Sequence, residues 1–382
     1  MKITRIEVLA ADVGPVYVFV KLHTDEGVCG VGEPSCCGKP HALVGAVRDL
    51  EPYLIGSDPF QIERLWNHMY RTAIWRGGPV LTAALSGVEH ALWDLKARAL
   101  GLPVWELLGG RVRDRVEVYA WIHGDTPESY VENARRRLEE GFRTVKFTPM
   151  EFTGLGYDVA HGKRVEARVR AVRQAVGDEV GIAIDGHGQL NPVNAVEMAR
   201  RMEPYGILFY EEPVLPEHAD ALAHVRRTCR IPVATGERLF TRYAFRELLV
   251  KEAVDVIQAD VGNAGGLLEV YKIAAMAEAF YVSLAPHNPW SPLTTAISLH
   301  LDAVVPNFLI QEIPTAGAPP GRARLLQQQI EDPGDGYRAV PEGPGWGVDL
   351  DEDFIRGHLW DPSVVREHPW LPLRPDGGLA HT

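Results

Sequence analysis

The sequence has few cysteines and no long apolar run. Its four cysteines stand at positions 29, 36, 37 and 229 of 382 residues, and this number and spacing do not fit a disulfide framework or a CxxC zinc site. No stretch of about 18 apolar residues is present, so we expect no membrane-spanning helix. The first residues, MKITRIEVLAADVG, alternate like an amphipathic strand and lack the apolar run of a signal peptide. The absences together predict a cytoplasmic protein.

Positive charge is also scarce. The chain carries 39 Lys and Arg against 51 Asp and Glu, which gives a formal net charge of −12. A nucleic-acid-binding protein needs a basic face to meet phosphates, so this balance argues against that class. The 46% of hydrophobic residues is enough to bury a full core, which excludes global disorder. The length fits two or three domains, or one large barrel with an attachment.

The first 115 or so residues predict an α+β domain. Residues 3–9, 16–23 and 28–33 alternate apolar and polar side chains, with a turn signal at 24–27, as in an antiparallel meander. Residues 81–100 place leucine and valine at helical spacing, and Gly101-Leu102-Pro103 ends that helix.

A second pattern occupies residues 116–320, where short apolar runs alternate with helical segments. The runs end at or near Trp121, Lys146, Asp185, Glu211, Glu237, Asp260, His287 and Glu312. Eight strands alternating with helices at this period predict an α/β protein with a (β/α)8 barrel. One longer gap carries an insertion at residues 148–163, which we expect over the catalytic mouth. Residues 321–382 are rich in Pro and Gly, and we expect this segment to return to the first domain.

Acidic residues and histidines follow six consecutive predicted strands. A single acid after a strand is usually a helix cap, but six residues in register with the strand period are hard to explain in that way. Catalytic residues of this fold come from the carboxyl ends of its strands. Asp185, Glu211 and Glu237 follow adjacent strands, and several carboxylates cannot stay ionised together without a cation. Their hard oxygen atoms suit Mg²⁺ better than zinc.

Two histidines stand among these residues. His187 lies two positions after Asp185, which the period of a strand places on the same side. His287 follows the seventh strand and has a candidate partner in Asp260, one strand earlier. A carboxylate against one imidazole nitrogen fixes the tautomer and raises the basicity of the other nitrogen. His287 is therefore a plausible general base.

The sequence resembles the enolase superfamily in its mandelate racemase and muconate lactonising branch, over nearly its whole length. The motifs are ALSGVEHALWDL at 84–95 and the Asp185, Glu211-Glu212-Pro213 and Glu237 series. The resemblance implies a modified TIM-like barrel with an α+β capping domain, and Asp185, Glu211 and Glu237 as Mg²⁺ ligands.

The resemblance also implies further roles around these ligands. It makes Asp260 and His287 a catalytic dyad. It places Lys146 and Glu312 at the substrate carboxylate, where Glu312 would hydrogen-bond the carboxylate as it becomes an enolate, and it gives Glu212 a supporting or helix-capping role. The second Lys of the family's Lys-x-Lys motif is absent, because Thr148 stands there.

His187 is the second departure, because mandelate racemase-like members carry Asn at this position. With His187 the pattern is closest to acid-sugar dehydratases of the galactonate dehydratase type. This implies a hydro-lyase that removes water from an aldonate through an enediolate, with His287 as base and His187, as imidazolium, as acid. Substrate contacts would come from Lys146, His187, Glu237, His287 and Glu312. The implied partner is a small acid sugar, in an even-numbered homo-oligomer.

Two other functions remain open from the sequence. An acid-sugar racemase, epimerase or cycloisomerase would need a second base on the face opposite His287, which Thr148 cannot supply. A non-catalytic sugar-acid binding barrel would normally have lost a ligand or the base. The choice of substrate should depend on capping loops at 11–17 and 35–41, with further candidates at Trp75, Arg76 and Trp290, each of which could equally be a packing residue.

Overall fold

The capping domain is built on an antiparallel sheet of three strands. The computed structural model describes residues 1–72, 74–151, 158–314, 318–332, 334–365 and 377–378. Strands β1 (Ile3–Asp12), β2 (Val16–Thr24) and β3 (Cys29–Gly32) pair in chain order, as the alternating pattern predicts. The helices are α1 (Pro40–Asp49), α2 (Glu51–Leu54), α3 (Ile62–Thr72), α4 (Pro79–Leu100) and α5 (Val104–Leu107).

Helix α4 is the centre of this domain because it is buried on almost every side. Two glycines of β3, Gly30 and Gly32, lie directly against its backbone, where an added Cβ would collide with the carbonyl oxygens of Ala91 and Gly87. The helix ends at Gly101, whose left-handed φ of 68° lets its N–H bond back to the last turn. The sheet and helix therefore pack backbone to backbone.

Eight parallel strands follow and close into a barrel. They are β4 (Arg115–Trp121), β5 (Thr144–Phe147), β6 (Gly181–Asp185), β7 (Tyr210–Glu211), β8 (Val233–Thr235), β9 (Val256–Ile257), β10 (Ser283–Leu284) and β11 (Gln311–Ile313). Neighbours pair in chain order and β11 returns to β4. A parallel bridge between Leu284 and Phe308 joins β10 to the segment before β11 and completes the ring.

Within the described residues, seven α-helices connect these strands. They are α6 (Pro127–Glu139), α7 (Val159–Val176), α8 (Pro192–Met202), α9 (Ala219–Thr228), α10 (Thr241–Val250), α11 (Leu267–Glu278) and α12 (Pro292–Val304). After β11, the first helical segment of the described residues is a 3-10 turn at Arg322–Leu325. The predicted fold class, a modified (β/α)8 barrel with an α+β cap, is confirmed.

A separate apolar cluster fills the barrel. Its members come from seven of the eight strand regions and are all buried: Tyr119, Ala183, Phe209, Ala234, Val256, Ala285 and Ile310. The other side of each strand packs on the helices in a larger core. The barrel is therefore filled by side chains, and the space for chemistry lies beyond the strands' carboxyl ends.

Several strands are shorter than the sequence pattern suggests. Strand β8 ends two residues before Glu237, and β9 and β10 end three residues before Asp260 and His287. These side chains stand on loops two or three residues after the strands, as the sequence pattern predicts to within that distance. Each apolar run in the sequence continues past the last residue that is hydrogen-bonded to a neighbouring strand.

The C-terminal segment contacts both parts of the molecule. Strand β12 (Tyr337–Ala339) pairs antiparallel with β4 on the barrel, and α13 (Glu352–Gly357) packs on β1 of the cap. The N–H of Trp360 donates to the carbonyl of Ala10 at 2.9 Å. The predicted division at residues 115 and 320 stays a prediction, and residues 333, 366–376 and 379–382 of this segment lie outside the described part.

Two further expectations concern the insertion and the membrane. The last residues of the predicted insertion at 148–163 form the first turn of α7, which begins at Val159 rather than at residue 164. Residues 152–157 of the insertion lie outside the described residues. Within the described part of the chain, no helix combines the length and apolar character needed to cross a bilayer.

Candidate active site

Three carboxylates meet at the mouth of the barrel. Asp185 ends β6 and pairs in register with Glu211 at the end of β7, and Glu237 follows β8. Each offers one oxygen atom, and these oxygens lie within 4.8 Å of one another. Three adjacent parallel strands thus deliver their acids to one point, because parallel strands end at the same edge.

Burial is energetically costly for this group. Asp185 and Glu211 are at most 1% exposed, and burial raises the pKa of Asp185 to about 7. Burial, then the neighbouring Asp185, raises the pKa of Glu211. Burial, then Glu212, holds the pKa of Glu237 well above its usual range. Three neighbouring carboxylates with raised pKa values need a nearby positive charge to be ionised together.

A divalent cation fits this donor set. All three donors are hard carboxylate oxygens at mutual distances that one ion can bridge. Among the described residues, Oε1 of Glu211 is buried and has no hydrogen-bond partner, so it is available as a ligand. Asp185, Glu211 and Glu237 are the residues that would hold the ion.

Lys146 lies beside the carboxylates as a buried cation. Its Nζ is 2.7 Å from Oε2 of Glu211, 3.5 Å from Oε1 of Glu312 and 4.0 Å from Oδ2 of Asp185. Burial disfavours the ammonium, but Glu211 and then Glu312 outweigh burial and hold the pKa of Lys146 well above its usual value. Lys146 is therefore a charged donor at neutral pH.

Glu312 is held by hydrogen bonds at both carboxylate oxygens. The N–H of Asn288 donates to Oε2 at 2.9 Å, and the indole N–H of Trp121 donates to Oε1. Although burial alone would raise it, Lys146 and His287 hold the pKa of Glu312 below its usual value. In this structure Glu312 is therefore an ionised acceptor, and Lys146 is the hydrogen-bond donor beside it.

His287 and Asp260 form a hydrogen-bonded pair. Nδ1 of His287 lies 2.7 Å from Oδ2 of Asp260, and its Nε2 lies 3.2 Å from Oε2 of Glu237. Burial lowers the pKa of His287, but Glu237 and the hydrogen bond to Asp260 prevail and raise it to about 10. The Nε2 atom thus faces the carboxylate cluster, and Asp260 fixes which nitrogen does so.

His187 reaches the cluster from a turn rather than from a strand. Its φ of 46° is left-handed, so the strand-period argument for its direction is corrected. The ring still lies close, with Nε2 3.2 Å from Oδ2 of Asp185 and Nδ1 3.1 Å from Oγ1 of Thr148. Burial lowers the pKa of His187 to about 4. The ring is therefore neutral at pH 7 in the free protein, where the sequence argument made it an imidazolium.

The two histidines approach the cluster from different sides. His187 contacts Asp185, after β6, and His287 contacts Glu237, after β8, while β7 and Glu211 lie between those strands. One imidazole thus lies beside each outer carboxylate of the cluster. All eight predicted site residues lie at this mouth.

The resemblance implies a supporting or helix-capping role for Glu212 but does not name its partner. Glu212, with a left-handed φ of 38°, pairs with the guanidinium of Arg238 through two hydrogen bonds of 2.9 and 2.5 Å. It does not cap a helix, since α9 begins at Ala219 with His218 as its cap. The Arg after Glu237 in the sequence was the available signal.

Trp290 contacts Asp260 of the dyad, whereas Trp75 and Arg76, the other two candidates for substrate choice, are exposed. The indole of Trp290 donates to Oδ2 of Asp260 at 2.5 Å. Trp75 is 86% exposed, and Arg76 lies over the ring of Tyr70, 5.2 Å from its centroid. The structure thus separates Trp290 from Trp75 and Arg76.

The capping domain contacts the loops that carry the dyad. After β3, Glu33 accepts from the N–H of Ser291 at 3.2 Å and from the hydroxyl of Thr294 at 2.6 Å. The N–H of Ser35 donates to the carbonyl of Gly262 at 3.0 Å. The loop at residues 35–41 therefore begins against the segments next to Asp260 and His287.

A modified (β/α)8 barrel with a capping domain and three carboxylates at its mouth defines the chain as an enolase-type enzyme. A model of the mandelate racemase / muconate lactonizing enzyme N-terminal domain matches residues 11–109, and an enolase C-terminal domain-like model matches residues 129–354. The chain belongs to the mandelate racemase and muconate lactonizing enzyme family of the enolase superfamily. Members of this superfamily bind a divalent metal ion.

Relatives of known name cover the whole chain. The chain is 40% identical to the D-galactonate dehydratase of Ralstonia pickettii over 385 residues and 38% identical to the D-galactonate dehydratase of Pectobacterium atrosepticum over 387 residues. Each comparison covers 100% of both chains. A crystal structure of a mandelate racemase/muconate lactonizing enzyme-like protein from Roseovarius sp. TM1035 superposes with a TM-score of 0.91 at 31% identity, again over 100% of both chains.

Proposed function

We propose that this chain is an acid-sugar dehydratase, a hydro-lyase that converts an aldonate, with galactonate as the best candidate, to a 2-keto-3-deoxy acid. The observation that carries the proposal is the pair of histidines at the two outer carboxylates of the cluster. A dehydration needs one base for the C2 proton and one acid for the C3 hydroxyl, and His287 and His187 supply two such groups. The full-length similarity to D-galactonate dehydratases supports the same reaction.

We propose Mg²⁺ as the metal, held by Asp185, Glu211 and Glu237, because all three ligands are hard oxygens. When bound, the ion supplies positive charge at the substrate carboxylate, which makes the adjacent C2 proton more acidic.

The first chemical step is removal of the C2 proton. His287 takes it at Nε2 in its neutral form, which a cation at Glu237 would favour by offsetting the charge that raises the pKa of His287. Asp260 accepts Nδ1–H at 2.7 Å and stabilises the imidazolium that forms. Lys146 donates to the developing oxyanion, and Glu312 holds Lys146 in place from 3.5 Å. The electron pair left at C2 passes into the enediolate of the substrate.

The second step breaks the bond between C3 and its hydroxyl oxygen. His187 gives a proton to the departing oxygen, water leaves, and the electron pair of the enediolate forms the C2–C3 double bond. Although His187 is neutral in the free protein, an anionic substrate beside the ring favours its protonated form. The enol product then tautomerises to the 2-keto-3-deoxy acid.

A substrate screen tests this function. The purified chain with Mg²⁺ is incubated with a panel of mono- and diacid sugars, and 2-keto acid is detected with semicarbazide. We expect keto acid from galactonate or a close stereoisomer, and none in the presence of EDTA. An epimerised acid sugar without keto acid in the product NMR spectrum would show an epimerase instead. No conversion of any acid sugar would overturn the proposal.

Three wider expectations stay predictions. We propose that residues 1–115 form the capping domain, residues 116–320 the barrel and residues 321–382 a segment that returns to the cap. We also propose that the protein acts on a small molecule in the cytoplasm as an even-numbered homo-oligomer, and that it binds neither nucleic acid nor membrane.

A further inference from the structure

Trp121 occupies a central place at the barrel mouth that the proposed mechanism leaves unused. It is the last residue of β4, and β4 pairs on one side with β5, which carries Lys146, and on the other with β11, which carries Glu312. Its backbone pairs directly with Lys146. An indole on this strand therefore has a site residue on each neighbouring strand.

The side chain of Trp121 contacts three of these residues in three different ways. Its indole N–H donates to Oε1 of Glu312. Its ring lies 4.5 Å from Nζ of Lys146 as a cation–π contact, and it stacks on the imidazole of His187 with centroids 6.0 Å apart and planes inclined by 14°. One rigid ring thus contacts groups assigned to both chemical steps.

These contacts limit how Glu312 and His187 can move. Oε2 of Glu312 is held by the N–H of Asn288, so the indole fixes the second oxygen and leaves the carboxylate one orientation. Thr148 holds one nitrogen of His187 by a hydrogen bond. The stacked indole adds a flat surface that restricts rotation of the imidazole about that bond.

We propose that Trp121 is a positioning residue, which orients Glu312 through its N–H and His187 through its ring. The inference rests on the proposed function for its kinetic consequences. The hydrogen bond aligns the group that holds Lys146 for proton abstraction, and the stack aligns the acid for loss of water. The two contacts are separable, because Phe keeps an aromatic face but has no N–H.

Two variants test the two halves of this role with galactonate and Mg²⁺. Trp121→Phe should slow C2 deuterium exchange and dehydration together by about tenfold or more, with KM within about threefold of wild type. Trp121→Leu also removes the stack, so it should slow dehydration further than exchange. Trp105→Phe is the matched control, since the Trp105 indole donates to the carbonyl of Pro341 instead. Turnover of Trp121→Phe equal to that of the control would overturn the proposal.

A second readout does not depend on turnover. In a ¹⁵N NMR spectrum of the full chain, the indole signal of Trp121 is identified by its loss in Trp121→Phe. Glu312→Gln should move this signal, because it replaces a charged acceptor with a neutral one, and Trp105→Phe should leave it in place. An unmoved signal in Glu312→Gln would overturn the hydrogen-bond assignment. If the wild type makes no keto acid, the proposed function fails while this test of the contact still stands.

Discussion

Oδ2 of Asp260 receives two hydrogen bonds, from Nδ1 of His287 at 2.7 Å and from the indole of Trp290 at 2.5 Å. Its other oxygen accepts from the N–H of Gly262 at 2.6 Å. The carboxylate is therefore fixed on every side and presents an acceptor to His287. That acceptor requires a proton on Nδ1, so Nε2 is the basic nitrogen of the ring in its neutral form.

Replacing this carboxylate with an amide should damage catalysis more than binding. In Asp260→Asn an amide N–H₂ can face Nδ1, which favours the tautomer whose Nε2 already carries a proton. We expect kcat to fall by about 10²- to 10⁴-fold, with KM close to wild type. Steady-state kinetics with the best substrate of the screen measures both values.

The control for this change is Asp335→Asn, which alters a surface ion pair with Arg115 far along the chain. It should keep the wild-type kcat. A kcat in Asp260→Asn within about twofold of that control would show that the carboxylate does not set the tautomer of His287.

At this scale the sequence predicts which residues meet but not how their neighbours hold them. Asp185, Glu211 and Glu237 follow from the strand period, because parallel strands end at one edge. The contacts of Trp121 and Trp290 depend on loop and rotamer geometry that no periodicity encodes. The left-handed backbone of His187 could not be predicted from the strand period either, since non-glycine residues rarely adopt this conformation.

Strand β3 packs on α4 backbone against backbone in the cap. A Cβ on Gly32 would collide with the carbonyl oxygen of Gly87. Both partners are backbone, so neither can rotate away as a side chain would. The glycine is thus required by the close approach of a strand and a helix.

Gly32→Ala should therefore destabilise the protein by about 1–3 kcal/mol or more, through overpacking. Gly45→Ala is a matched control in the exposed face of α1, where an added Cβ meets nothing within 4 Å, and it should be neutral or stabilising by about 0.5–1 kcal/mol. Urea unfolding followed by circular dichroism measures both. Equal stability of the two variants would contradict the proposed packing.

His300 in α12 links that helix to the C-terminal segment and makes stability depend on pH. Its Nδ1 accepts from the N–H of Trp105 at 3.2 Å and its Nε2–H donates to the carbonyl of Trp346 at 3.1 Å. Burial lowers the pKa of His300 to about 4 from its usual 6.5. The folded state therefore holds a neutral ring at pH values where the unfolded chain would bind a proton.

This difference has a definite sign. The stability that the neutral ring contributes is present above pH 6.5 and is lost as the pH falls towards 4, by an amount on the order of 3 kcal/mol. His300→Gln cannot titrate, so the unfolding free energy of this variant should fall less over the same window. Urea titrations at pH 7 and pH 4.5 compare the two proteins. An identical loss in both would exclude His300 as a source of the dependence.

At the scale of elements the sequence predicts the alternation of strands and helices well. The sequence pattern predicts helices that begin at residues 128, 195 and 267, and α6, α8 and α11 begin within three residues of these positions, because apolar spacing records which face is buried. Strand ends are predicted less well, since β8, β9 and β10 are only two or three residues long. In a barrel the apolar pattern continues into loops that are buried but no longer paired.

The whole molecule is acidic, with a net charge of −12, yet we propose that it binds an anion. The site resolves this difficulty locally, because Lys146 is a buried cation and the three carboxylates can be offset by a divalent ion. The net charge of the chain would therefore predict a site that repels anions. The positive charge at the site can be inferred only from the strand ends that converge there.

Filling the carboxylate cluster should stabilise the entire fold. A ligand that binds only the folded state adds about 2.7 kcal/mol at a hundredfold excess over its Kd. We expect Mg²⁺ to raise the Tm by a few degrees over EDTA, and Glu237→Gln to lose most of this shift. Glu342→Gln, which changes an exposed acid paired with Arg111, should keep it. A Tm that Mg²⁺ leaves unchanged in the wild type would contradict the metal site.

The most direct test of the central claim follows the C2 proton and the C3 hydroxyl separately, by NMR of the acid-sugar substrate in deuterated buffer with Mg²⁺. If His287 is the base and His187 the acid, His287→Asn should abolish both deuterium exchange at C2 and formation of keto acid. His187→Asn should suppress keto acid and leave exchange measurable. Keto acid formed at the wild-type rate by His187→Asn would contradict the account.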